Sequence, residues 1–421
     1  MRFHALSLFI KLIMKILLLF GLFPKEHKDQ IINNSRGAIQ YAADAFQWSF
    51  VKGLTHYYHN ISLINLPFIR PFPKFNSIKK ENSYEFTFYD NPDLNKGKNI
   101  GFNNVLGLRS ISRYWNTKKA LLKWNSETHG EKIILIYSVN IPFLSAAIKI
   151  KKKTKNEKLK ICLIVPDIPI YMSDLPKKIH TKLLIRLQNF LLKKLYPNVD
   201  KYVLITENMK DLIPINDKPY IIIEGMYNFE LNTDFLNDYF LKEYKIVFYG
   251  GTLARRYGVL NLVNAFTKLN NNNYRLIICG DGDSKEEICR ISELDNRIIY
   301  KGQLPREDVL KLIQKSDLLV NPRTPQGEFT KYSFPSKILE YIGSGIPTLI
   351  YKLEGIPQEY YNYCFTIEDA NIEALTNKIN EILSMSKLDL QRIGQKAKEF
   401  IEKEKNPIKQ CEKLVQLIEN N

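Results

Sequence analysis

Glycine pairs at the ends of apolar runs, with arginines a few residues on, are residue types that can hold a phosphate. One such stretch is KIVFYGGTLARRYGVLNLVNAF (245–266). Gly250 and Gly251 let backbone approach a ligand closely, a helix start at about Tyr257 offers unbonded N–H groups, and Arg255 and Arg256 can pair with phosphate oxygens in bidentate fashion. The same residues would also make a plain strand-turn-helix with solvated arginines, and the G-x-G-x-x-G spacing of a dinucleotide fold is absent. A second glycine turn lies in ICGDGDSKEEI (278–288), where Gly280 and Gly282 could line a crevice. Asp281 and Asp283 read as turn residues rather than a metal pair, because D-G-D is a common turn signal.

The stretch YSFPSKILEYIGSGIPTL (332–349) packs a turn, a helix, a double glycine stop and a strand into a few residues. A helix starting near Pro335 would bury Pro335, Ile338, Leu339 and Ile342, which follow i, i+3, i+4, i+7. Ser333 is the expected cap, and Ser336 and Glu340 point away from the buried face. The helix start would present backbone N–H groups and a positive dipole end to an anion, while Glu340 one turn deeper would accept hydroxyl groups. Glu340 reads equally as a solvated helix residue.

Such groups need strands and helices to place them. Short apolar runs recur: KILLLF (15–20), YEFTFY (84–89), KIILIYS (132–138), KICLIVP (160–166) and KYVLIT (201–206), then KIVFYG (245–250), YRLIICG (274–280), RIIYKG (297–302), DLLVNP (317–322) and PTLIYK (347–352). Continuous apolar runs are what a parallel sheet covered on both faces requires. The pattern predicts an α/β chain with one domain over 14–227, a linker at 228–244, a second domain over 245–385, and helices over 386–421. Two such domains would bind ligands at the carboxyl ends of their strands, facing one cleft.

The 421 residues suit two or three domains, and 45% apolar with 12% aromatic residues suits a folded globular protein. A net charge of +17 favours anionic partners, though a lysine-rich compositional habit would give the same surplus. The five cysteines are scattered without C-x-x-C spacing and the six histidines form no ligand-like group, so a reducing cytoplasm and no metal are expected. No aromatic-and-basic module for nucleic acid is present. The run from Ala5 to Phe23 is interrupted by Lys11 and Lys15 and precedes no small-residue cleavage site. It reads as a first strand from Met14, with residues 1–13 an extension or weak membrane tether. KKIHTKLLIRLQNFLLKKLYP (177–197) reads as a basic amphipathic helix that would either lie on anionic lipid or pack with a solvated basic face.

The run from FYGGTLARRYGV through CGDGD, YKGQLPREDVLKLIQKSDLLVNP and YSFPSKILEYIGSGIPTL resembles the donor-binding half of family 4 glycosyltransferases, most strongly over 245–366. These are GT-B proteins, with two Rossmann-like doubly wound parallel-sheet domains facing a central cleft. The resemblance implies a retaining, metal-independent transfer from a UDP-linked sugar with no cofactor. Of the family's two donor-holding glutamates the second corresponds to Glu340, on the nucleotide ribose, with the Phe334 to Ser336 amides and Lys337 facing the diphosphate and sugar. The first falls on Tyr332, with Glu328 as substitute. The family's phosphate-binding arginine falls on Thr252 and its lysine on Tyr257, so Arg256, with Arg255 second, would supply the cation.

The first half is similar to members that assemble capsule or exopolysaccharide, through FGLFPKEHKD (20–29), AIQYAADAFQWSFVKGL (38–54), IYSVNIPFL (136–144), IVPDIPIYM (164–172) and LITENM (204–209). Its loops would bind the acceptor. This implies Asp167 as a catalytic residue, unless it caps a turn before Pro169, with Gly21, Gln47, Asn140 and Glu207 on the acceptor side. A lipid-linked acceptor would put the enzyme on the inner membrane face. Two other readings stay open: a GT-B nucleotide-sugar epimerase or hydrolase, and a non-catalytic donor-binding subunit.

Overall fold

The computed structural model describes residues 14–37, 39–88, 96–154, 158–168, 179–228 and 244–420. The expected extension at 1–13, nearly all of the linker at 228–244, and the start of the basic segment at 177–178 lie outside these residues. Two compact units result, Met1–Met226 with Pro407–Asn421, and Tyr227–Asn406.

In the first unit β1 (Lys15–Phe20), β2 (Ile61–Asn65), β5 (Lys96–Asn99), β7 (Lys132–Tyr137), β8 (Leu159–Val165), β9 (Lys201–Leu204) and β10 (Tyr220–Ile222) pair in parallel, and β4 (Tyr84–Thr87) closes one edge antiparallel to β5. A small ribbon pairs β3 (Lys80–Glu81) with β6 (Phe102–Asn103). The sheet order β10-β9-β8-β7-β1-β2-β5-β4 places the parallel strands as 3-2-1-4-5-6-7 in chain order, a doubly wound arrangement. Helices α1 (Lys28–Asn34), α2 (Tyr41–Tyr57), α3 (Leu108–Glu127), α4 (Ile141–Thr154) and α5 (Ile179–Leu195) supply crossovers. The continuous apolar runs are buried as a covered parallel sheet demands: Leu17, Leu18, Leu19 and Phe20 have no exposed surface.

The second unit carries β11 (Lys245–Gly250), α6 (Val259–Thr267), β12 (Tyr274–Cys279), α7 (Lys285–Leu294), β13 (Ile298–Tyr300), α8 (Arg306–Gln314), β14 (Leu318–Asn321), α9 (Lys337–Gly343), β15 (Thr348–Tyr351), β16 (Phe365–Ile367), α10 (Ile372–Ser384) and α11 (Lys387–Glu404). Its order β13-β12-β11-β14-β15-β16 is 3-2-1-4-5-6, all parallel. The order reverses between β11 and β14, so ligands are expected outside the carboxyl ends of those two strands.

The expected group of helices over 386–421 divides. α12 (Pro407–Glu419) packs on α2 in the first unit, burying Cys411, Leu414, Val415 and Ile418. Gly53 of α2 makes the contact possible, since a Cβ there would fall 2.3 Å from the Pro407 carbonyl oxygen. Lys201 Nζ donates to the Leu417 carbonyl at 2.6 Å and fastens the end of the helix to β9. No helix among the described residues is long and apolar enough to cross a membrane.

Candidate functional site

At the reversal point of the second sheet, two glycine turns lie backbone on backbone. Gly251 N–H donates to the Cys279 carbonyl at 2.8 Å, and Leu253 N–H to that of Asp281 at 2.9 Å. Gly280 adopts φ +137°, and a Cβ on it would fall 1.7 Å from the Gly251 carbonyl oxygen. A Cβ on Gly282 would meet Leu253 backbone at 2.6 Å. The Tyr341 hydroxyl of α9, fully buried, accepts from Gly250 N–H at 2.9 Å and sets the height of the turn. Tyr341 was not legible in the sequence, where it reads as one more apolar helix residue.

Beyond the turn the chain forms a short 3₁₀ turn, Arg255–Tyr257, before α6 starts at Val259, two residues later than expected. Asp283 acts as the turn residue it resembles, its Oδ1 accepting from Arg255 N–H at 2.8 Å. Arg255 itself is exposed and paired with Glu287 at 2.7 Å, so this guanidinium faces a carboxylate of α7 rather than the glycine turn. Arg256 instead lies against rings, 5.1 Å from the Tyr257 centroid and 5.6 Å from that of Phe329. Arg323, which sequence reasoning passed over, follows β14 and lies 4.5 Å from the Phe329 ring and 5.5 Å from Tyr257. Two arginines therefore share one aromatic pair at the end of the reversal strands.

The coil of residues 332–336 leads into α9 from Lys337. Ser333 is not its cap, because its hydroxyl donates to the Phe329 carbonyl at 2.7 Å and accepts from Arg323 Nη2 at 2.5 Å. Phe334 anchors the coil, buried against the Tyr360 ring at 5.3 Å, and the Pro335 carbonyl accepts from Ile338 N–H. Ser336 is exposed at the first turn. Lys337 lies across the glycine turn, its Cε 2.3 Å and Nζ 2.9 Å from where a Cβ on Gly251 would be. Burial lowers the Lys337 pKa, opposed by the neighbouring Glu340 carboxylate.

Glu340 points away from the apolar face, as its spacing predicts. Arg306 Nη2 of α8 comes within 2.9 Å of its Oε1, yet that buried oxygen accepts no hydrogen bond. Arg306 is 60% exposed and Glu340 18%, so the arginine is the partner able to move aside. Glu328 is exposed on a 3₁₀ turn opened by Gly327 at φ +96°, and Tyr332 is half-buried one turn on. No group of three or more metal-ligating side chains occurs among the described residues.

In the first unit the order reverses between β1 and β7. Gly21 follows β1 with its backbone against the Phe68 ring, where a Cβ would lie 2.4 Å away. Gln47 is not presented to a ligand: it is 1% exposed, its Oε1 accepts from Gly21 N–H at 2.7 Å and its Nε2 donates to the Ala43 carbonyl. Asp44, one turn earlier, does the same for Phe23 N–H at 2.7 Å. Asn140 follows β7 and its Oδ1 accepts from Phe143 N–H at the start of α4. Glu207 accepts from the Tyr220 hydroxyl at 2.7 Å and pairs with Lys210.

Asp167, just past β8, is pushed up to about 7 by burial. The buried Tyr137 hydroxyl at the end of β7 is raised well above the phenol range by burial first, then by the Asp167 and Asp44 carboxylates. A carboxyl whose folded pKa exceeds its unfolded value favours folding at low pH and loses that contribution as pH rises through the folded pKa. Asp167→Asn removes this dependence, so the Tm of wild type relative to the variant falls between pH 5 and pH 8. Parallel Tm profiles for the two proteins would rule out the burial of this carboxyl.

Residues 234–400 match the family described as Glycosyl transferases group 1. No curated protein sequence matches the chain. Sucrose-phosphate synthase from Thermosynechococcus elongatus superposes with a TM-score of 0.62 at 13% identity, over 96% of this chain and 98% of that one. An E. coli trehalose-6-phosphate structure bound with UDP-2-fluoro glucose gives 0.65 at 11% identity, over 97% and 99%. Anabaena HepE in complex with UDP gives 0.60 at 14%, over 97% and 100%. At these identities the likeness shows the fold, and the chain is a GT-B protein with two Rossmann-like domains whose residues 234–400 match the group 1 glycosyl transferases.

Proposed function

We propose that this chain is a retaining, metal-independent glycosyltransferase that moves a sugar from a UDP-linked donor to a hydroxyl of a lipid-linked saccharide in cell-surface polysaccharide assembly. One observation carries the reading: at the reversal point of the second sheet, Lys337 lies across a backbone-on-backbone glycine turn, Arg256 follows that turn against the Tyr257 ring, and α9 offers Glu340, whose ion-pair partner Arg306 is mostly exposed. Cations and close backbone suit a diphosphate, and a carboxylate whose ion-pair partner Arg306 is exposed enough to move aside suits a ribose diol. The UDP in the HepE structure and the UDP-2-fluoro glucose in the E. coli structure support this donor class.

In this reading Glu340 accepts the ribose hydroxyls, while Gly250, Gly251, Gly280 and Gly282 admit the diphosphate. The coil from Ser333 to Ser336 and Lys337 face the diphosphate and sugar. Glu328 takes the sugar-side role that Tyr332 cannot. As the glycosidic bond breaks, negative charge grows on the leaving diphosphate, and Arg256 stabilises it most in the transition state. The acceptor oxygen attacks from the face the diphosphate leaves, which retains configuration. Asp167 of the first unit, half-ionised near neutral pH, is the group proposed to take the acceptor proton.

Lipid attachment has its own support in the first unit. On α5, Leu183, Leu187, Phe190 and Leu191 are exposed at i, i+4, i+7, i+8 spacing beside Arg186, Lys193 and Lys194. α3 exposes Leu108, Ile111 and Trp115. These faces suit an anionic membrane surface.

Titration with UDP and with UMP, followed by turnover of UDP-sugars with and without lipid-extract acceptor and EDTA, tests the proposal. The expected result is UDP binding stronger than UMP binding, and EDTA-insensitive transfer that needs the lipid extract. Product formed equally without acceptor would point instead to an epimerase or hydrolase. Absence of UDP binding would end the donor reading.

A further inference from the structure

Arg323 is 8% exposed, at the carboxyl end of the reversal strand β14. Of its donors, Nη2 reaches Ser333 Oγ at 2.5 Å, while Nε is buried with no acceptor. No carboxylate pairs with it among the described residues. The charged group acting on it is another cation, Arg256, and the other titratable groups acting on it are the Tyr257 and Tyr249 hydroxyls. Burial holds its pKa down to about 10, still well above neutral, so it carries its charge.

A buried guanidinium without an anion is costly, and the cost is recovered when a ligand brings the anion. The backbone around it is arranged for close approach. Gly258 adopts φ +75°, and a Cβ there would fall 2.1 Å from the Pro322 carbonyl oxygen, so the arginine turn after β11 is held directly against the strand end that carries Arg323. Ser333 fixes one edge of the guanidinium plane and the Phe329 ring supports its face. The Nε edge is left for a bidentate anion, such as two oxygens of a phosphate.

We propose that Arg323 is a diphosphate-binding residue of the donor site, its Nε edge gripping phosphate oxygens opposite Arg256 while Ser333 sets its orientation. This rests on the donor reading above, and the test separates the two. Arg323→Gln and Arg323→Lys, each checked for folding by circular dichroism, are titrated with UDP, uridine and inorganic pyrophosphate.

Loss of a charge-assisted contact of this kind corresponds to about a ten- to hundredfold fall in UDP affinity. Lysine, which keeps the charge but not the fork, recovers part of the loss. Uridine affinity changes by less than about twofold, because the phosphate contact alone is lost. The rise in Tm that pyrophosphate gives the wild type disappears in both variants.

Unchanged UDP affinity in a folded variant overturns the proposal, as does an equal loss for UDP and uridine, which marks a structural role. Should the glutamine variant not fold, the lysine variant decides. If the wild type binds no UDP, yet pyrophosphate raises its Tm only with Arg323 in place, the donor reading fails and the anion site stands. If the wild type binds neither, both fail.

Discussion

Glu340→Gln weakens UDP binding by roughly tenfold to a hundredfold while the Tm stays within about 2 °C of wild type. The affinity estimate follows from exchanging a charged acceptor for a neutral one, since hydrogen bonds to charged groups contribute about 1.5–3 kcal/mol. The small effect on folding follows from position: the carboxylate points away from the apolar face of α9, and its ion-pair partner Arg306 is mostly exposed. The specific signature is a loss of discrimination. Wild type prefers UDP to 2′-deoxy-UDP, and Glu340→Gln binds the two alike. Arg306→Ala, which releases the carboxylate, leaves UDP affinity equal or higher. A wild type that binds both nucleotides equally would remove Glu340 from the ribose.

Gly280→Ala lowers the Tm of the second unit by roughly 4–24 °C. The added Cβ would lie 1.7 Å from the Gly251 carbonyl oxygen, which is backbone in a strand-end turn and cannot swing aside. Overpacking of this kind costs about 1–3 kcal/mol, and a φ of +137° adds strain for any side chain. At about 2–4 °C per kcal/mol for a unit of this size, the sum gives the stated shift. Gly302→Ala is the control. Gly302 also has positive φ, +70°, but nothing lies within 4 Å of a Cβ there, so only the backbone penalty of about 1–2 kcal/mol applies. Equal shifts for the two variants would show that the glycine turns are not in contact.

Most of both sheets could be read from the sequence because covered parallel strands are continuous apolar runs, as KILLLF, KIILIY and KIVFYG are. β2 escaped because Ser62 and Asn65 break the apolar run of ISLIN, which leads into Pro67. β16, only three residues long, carries too little pattern to stand out. The glycine turns were legible because glycine pairs at strand ends are unusual, and the outward position of Glu340 because it falls off the apolar spacing of α9.

Roles set by long-range neighbours were not legible. Gln47 looks like a polar residue free to meet a ligand, but a glycine turn after β1 takes its amide oxygen. Ser333 looks like a helix cap, but Arg323, ten residues earlier, takes its hydroxyl. Arg323 itself sits in NPRTPQGEF, which reads as a solvated loop. Its burial depends on Tyr257 and Phe329 meeting across two strand connections, and local spacing carries no trace of that.

The return of α12 to the first unit has a consequence for biosynthesis. The groove on α2 around Gly53 is made before the second unit, yet the side chains that fill it, from Cys411 to Ile418, are translated only after that unit. The first unit is thus completed only after the second has been translated, and its apolar groove stays uncovered while the entire second unit is being made. During that interval the nascent chain depends on chaperones, or on the second unit folding quickly, to keep the groove from associating elsewhere.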